Sequence, residues 1–187
     1  GNNERLRITS AGLALIGTTA DVAGGATNSK LQIRGTSYDT SLALVANRTN
    51  AGGGNVSFSK SRGSSQGDAT IVQSGDTLGS LVWYGADGTD INSAAAQLDV
   101  QVDTTPGSND MPGRFIFRTT SDGASSPSER LRIDKDGQAT FSANNINVNR
   151  NAGDAYIALQ TSGSDNVTLY GGATDGFYQV TLVDANN

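Results

Sequence analysis

The sequence predicts an all-β chain of antiparallel sheets, β-sandwich or β-prism-like, and three observations carry that prediction. Apolar residues recur with a period of two rather than 3.6. Clusters of Gly, Asn, Ser and Asp, the residues that build turns, separate the alternating runs. The string Glu4-Arg5-Leu6-Arg7-Ile8 returns as Glu129-Arg130-Leu131-Arg132-Ile133, an internal repeat.

In the first of these strings, residues 4, 6 and 8 share one side of a strand and residues 5 and 7 the other. Leu6 and Ile8 are expected to point inward, with Arg5 and Arg7 turned to solvent or to a neighbouring chain. A Gly-containing turn follows each copy: Thr9-Ser10-Ala11-Gly12, then Asp134-Lys135-Asp136-Gly137. Looser matches continue behind it. Leu31-Gln32-Ile33-Arg34 pairs with Ile146-Asn147-Val148-Asn149, Ser41-Leu42-Ala43-Leu44 with Tyr156-Ile157-Ala158-Leu159, and Asn55-Val56-Ser57-Phe58 with Asn166-Val167-Thr168-Leu169. The repeat divides the chain into end strands of a preceding module (1–20), a β-rich module (21–125) and the start of a second, shorter one (126–187). The chain is thus expected to begin and end within a longer array.

The middle of the chain alternates most clearly. Leu98, Val100 and Val102 interleave with Asp99, Gln101 and Asp103, and Phe115 and Phe117 with Arg114, Ile116 and Arg118. Asp87-Gly88 lies between the 81–84 run and the 98–102 run, where a hairpin tip or longer loop is expected. A short helix at 93–98 is the alternative there, and the alternation that follows favours a strand. Tyr178, Val180 and Leu182 form a last alternating run. No heptad pattern marks a coiled coil.

Composition narrows the function classes. Leu, Ile, Val and Phe supply only roughly a fifth of the chain, so one copy has a thin core and packing against identical copies is expected to complete it. A net charge of −5 opposes nucleic-acid binding. Cys and His are both absent, which removes disulfides, thiolate ligands, the commonest zinc ligand and the usual general base. No apolar run reaches the roughly 20 residues of a membrane-spanning helix, and no secretory signal pattern opens the chain.

The Glu4–Ile8 string, its turn and Ile16-Gly17-Thr18-Thr19 resemble a repeat of phage tail fibres, especially those of marine and cyanobacterial phages. The stretch 70–142 resembles them more closely, through Gly75-Asp76-Thr77-Leu78-Gly79, Tyr84-Gly85-Ala86-Asp87-Gly88-Thr89-Asp90, Pro106-Gly107-Ser108-Asn109-Asp110-Met111-Pro112-Gly113-Arg114 and Asp122-Gly123-Ala124-Ser125-Ser126-Pro127-Ser128-Glu129-Arg130. The resemblance implies an elongated homotrimer in the virion, attached to other tail proteins and reaching toward a host-surface glycan, without cofactor, metal or catalytic centre. Many such proteins end in a self-cleaving chaperone domain. Nothing in this sequence resembles one, so a trimerisation device is expected outside it. The second repeat also departs from the family, with Gln138-Ala139-Thr140-Phe141 where an Ile-Gly-Thr turn is usual.

Two rival functions follow from other features: a polysaccharide-degrading tailspike, and a bacterial surface adhesin or filament. Glycoside hydrolysis uses two carboxylates about 5–9.5 Å apart. Asp99 and Asp103 on one strand side stand roughly 13 Å apart, and Asp87 and Asp90 flank a turn glycine, a position that favours Asp for its bonds to backbone. Asp87-Gly88-Thr89-Asp90 lacks the further ligands of a calcium loop, and Gly52-Gly53-Gly54 lacks the Lys-Ser/Thr of a phosphate cradle. For receptor contact, the candidates are the aromatics Tyr38, Trp83 and Tyr84, whose faces suit a sugar ring. For subunit contact, they are Arg5, Arg7, Arg130 and Arg132.

Overall fold

The computed structural model describes residues 4–21, 29–36 and 40–142. The chain divides into two compact units, Gly1–Asn144 and Asn145–Asn187, and the described residues lie in the first. Eight strands occur among them: β1 (Leu6–Ile8), β2 (Ala14–Ile16), β3 (Leu31–Ile33), β4 (Thr77–Gly85), β5 (Ser93–Val102), β6 (Gly113–Thr119), β7 (Ser128–Ile133) and β8 (Ala139–Phe141). No helix is found in these residues, and 93–98 is strand. The all-β prediction stands.

The first three strands form one sheet in chain order. β1 and β2 pair antiparallel, whereas β2 and β3 pair parallel. Its core is small, resting on Leu15, fully buried, and Leu13. Leu6 and Ile8 are 60% and 75% exposed, so the expected inward face of the first repeat is bare within a single chain.

Strands β4 to β8 make a five-stranded antiparallel meander, each paired to the next in sequence. Asp87-Gly88 sits in the β4–β5 connection, with Gly88 at φ +94°, a conformation open to glycine at little cost. The strands of the two sheets do not touch each other. The boundary expected between 125 and 126 falls in the connection from β6 to β7, and those two strands pair across it.

The two Glu-Arg-Leu-Arg-Ile strings fold into the same hairpin, bond for bond. Leu6 faces Ile16 as Leu131 faces Phe141, and Ile8 faces Ala14 as Ile133 faces Ala139. The Thr9 amide donates to the Leu13 carbonyl as Asp134 does to Gln138, and Gly17 donates to Arg5 as Ser142 does to Arg130. Gly12 and Gly137 turn the chain at φ +73° and +78°. In each copy the strand's first Glu pairs with its second Arg, three residues on. The looser matches expected at 146–149, 156–159 and 166–169, and the run at 178–182, lie outside the described residues.

Candidate functional site

The register of the meander sorts its side chains into two unlike faces. One row runs Leu81, Leu98, Phe117, Leu131, Phe141 across all five strands, and the row beside it runs Gly79, Val100, Phe115, Ile133, Ala139. Alternation along each strand puts both rows on one side. Neighbours this close across a ladder pack together, yet much of their surface stays open. Leu81, Phe115, Phe117, Ile133 and Phe141 are all exposed, and Trp83, farther along β4, is 55% exposed. Phe58 crosses over Gly79, where a Cβ would lie 2.6 Å from its own Cβ. With Leu78, Leu98, Val100 and Phe115 it bounds an apolar groove of about 310 Å³. A continuous apolar area of this kind on a chain surface marks a contact site.

The opposite face is polar and satisfied from within. The row next to Leu98 reads Ser80, Asp99, Ile116, Arg132, Thr140. Asp99 is only 3% exposed. Its Oδ1 accepts from Ser80 Oγ at 2.6 Å and Gln97 Nε2 at 2.7 Å, and its Oδ2 from Arg118 Nε at 3.0 Å. Burial pushes this carboxyl up, but the bonds from Ser80, Gln97 and Arg118 outweigh it and the net shift is downward. Farther down the strand, Arg114 bonds Gln101 and Asp103. Asp103 is held below the usual carboxylate range, first by the Lys135 amide and then by Arg114. Ile116, 1% exposed, lies among these groups. A polar network completed within one chain asks nothing of a partner.

The carboxylates singled out in the sequence are occupied as donors' partners. Asp87 accepts the amides of Thr89 and Asp90 and the Ser93 hydroxyl, which lower its pKa. These are the bonds of a loop-closing aspartate. Asp87, Asp90, Thr120 and Ser125 line an open polar hollow between the β4–β5 and β6–β7 connections.

Of the receptor candidates, Trp83 and Tyr84 lie exposed at the end of β4, and Tyr38 lies outside the described residues. Three of the four subunit-contact arginines bond within the chain: Arg7 to Glu4, Arg132 to Glu129, and Arg130 to Thr119 and Ser121. Arg5 is exposed. The apolar rows were legible in the alternation of Phe115, Phe117, Leu98 and Val100.

No protein-family model matches the chain, and no curated protein matches it. Solved structures that share its fold include two forms of one domain. The carboxy-terminal domain of the bacteriophage T5 L-shaped tail fibre matches with a TM-score of 0.64 at 16% identity, over 88% of this chain and 68% of that one. The same domain with its intramolecular chaperone domain matches with a TM-score of 0.66 at 16% identity, over 97% of this chain and 50% of that one. This chain therefore spans half the length of the longer structure.

Proposed function

We propose that the chain is a structural and adhesive segment of a bacteriophage tail fibre, carried on the virion as a non-catalytic homotrimer. The observation that carries this reading is the uncovered apolar face of the meander, backed by a polar face that is already complete. The fold shared with the T5 tail-fibre domain supports the setting. In this role the sheet supplies stiffness through its hydrogen-bond ladders, and the connections at its ends are free to vary for contact with a host surface. Other tail proteins and a host glycan are the remaining partners, and Trp83 and Tyr84 are the exposed aromatics best suited to a sugar ring.

Solution mass tests the reading. Three copies of a 19.2 kDa chain give about 58 kDa. Trp83, the one tryptophan, emits like a solvated indole in the separated chain and shifts to shorter wavelength when copies close over it. Phe117→Lys places a charge in the middle of the apolar row and is expected to leave a folded monomer. A wild-type protein that stays at 19.2 kDa at all concentrations overturns the proposal. Shortening of a host polysaccharide on incubation with the pure protein overturns its non-catalytic part.

A further inference from the structure

Between the two sheets, residues 41–61 make no backbone-to-backbone hydrogen bond among the described residues. Residues 40–48 and 52–63 run without turn or bend on either side of a bend at 49–51. Both legs have the alternation of a strand, Leu42 and Leu44 in one and Val56 and Phe58 in the other. All four are exposed, as is Val45 at 80%. Water satisfies open amides and carbonyls, but it does not stabilise five large apolar side chains outside any core.

We infer that residues 55–61 add as an extra strand to the outer edge of β4 in a second copy of this chain. This rests on the self-association proposed above and names the contact that builds it. The recipient is fixed by length. The meander has two edges, β4 with nine residues and β8 with three, and only β4 receives a seven-residue segment. The donor's own β4 is not its partner, because Phe58 sits over Gly79 on the face of the sheet and no backbone bond joins the two segments.

Chemistry matches on both sides of the pleat. Val56 and Phe58 would extend the side carrying Leu81 and Trp83, with Lys60 at the end of that side, while Ser57, Ser59 and Ser61 would extend the side of Ser80. The segment thus lengthens the apolar rows and the polar network together. A donor segment and a bare receiving edge on the same chain form a head-to-tail contact, which closes into a ring when each copy uses each once. Long uncovered edges are otherwise blunted by charge, proline or bulges; β4 has register irregularities only at its ends, between Thr77 and Gly79 and between Trp83 and Tyr84, and the stretch between them has no charged residue and no proline.

Amide hydrogen exchange on the full chain, read with its mass, tests the inference. In the assembled protein the amides of 56–61 are expected to exchange at least about tenfold more slowly than in the Phe117→Lys monomer. Joint Ser57→Pro and Ser59→Pro substitution removes two donors from a segment that uses none within its own chain. It is expected to abolish assembly while β-sheet circular dichroism persists, and the matching alanine pair is expected to assemble normally. An assembly whose 56–61 amides exchange at the free rate, or proline variants that assemble like wild type, overturns strand addition and leaves the self-association reading intact. A wild-type chain that never assembles overturns both.

Discussion

Asp99→Ala tests whether the polar face of the meander is an internal core or a decorated surface. The substitution removes the common acceptor of Ser80, Gln97 and Arg118. Hydrogen bonds to a charged group contribute roughly 1.5–3 kcal/mol each, and breaking a buried ion pair from one side costs about 3–5 kcal/mol. The Arg118 side chain is 26% exposed against 4% for Asp99, so water rehydrates the stranded guanidinium in part. The expected loss is therefore about 2–4 kcal/mol. Because assembly would add its own concentration-dependent stability, urea unfolding is best followed in the Phe117→Lys background. The midpoint should fall with an unchanged slope. Adding Arg118→Met to Asp99→Ala should recover part of the loss, since no charge is then left without its partner. A loss below about 1 kcal/mol, or a cycle with no coupling between positions 99 and 118, would refute the claim that this network holds the sheet.

Acid should weaken the subunit through the same group. The Asp99 carboxyl titrates below the ordinary value in the folded chain, so the folded state binds its proton more weakly than the unfolded one. Its contribution is full above about pH 4 and is lost as pH falls through the depressed folded value. Urea midpoints measured from pH 6 downward should drop below pH 4, and Asp99→Ala should flatten that drop. In the small sheet, Gly17 stands at φ +75° and a Cβ there would run into the Arg34 backbone carbonyl. Gly17→Ala should cost more than the roughly 1–2 kcal/mol of a left-handed alanine and speed exchange of the Arg34 amide, which donates to Ile16. Gly12→Ala, with φ +73° and open space around it, should cost the backbone term alone. Equal losses at the two sites would refute the steric account.

Period two and turn chemistry made most of the meander legible, because antiparallel neighbours joined by short connections need only local information. The repeated Glu-Arg-Leu-Arg-Ile string and the glycine turn behind each copy were legible, and the structure closes both into hairpins of one register. Three features were not legible. The parallel pairing of β2 with β3 joins strands separated by residues 17–30, and nothing in either strand names its partner. Residues 41–45 and 55–58 alternate like strands, but alternation says nothing about whether a ladder exists within the same chain. The alternation of Phe115 and Phe117 has the same limit. A period identifies residues that share a side, and whether that side meets the chain itself or another copy is a property of the whole surface.

The placement of the charges bears on that last point. A lone sheet in water would turn its phenylalanines toward whatever cover the chain offers and leave its arginines to the solvent. This meander does the reverse, sinking Asp99 to 3% exposure beneath its own hydrogen-bond donors while Phe115 and Phe117 stay bare. Arg114, Arg118 and Arg132 each close on an acid of the same chain, so salt bridges between copies have few groups left on that face to form them. In the proposed assembly, subunit contact is carried first by Leu81, Phe115, Phe117 and Phe141. An assembly joined in this way should hold as salt rises, because apolar burial is not screened. Dissociation of the wild-type complex on raising sodium chloride from 0.1 to 1 M would show instead that charge pairs between copies hold it together.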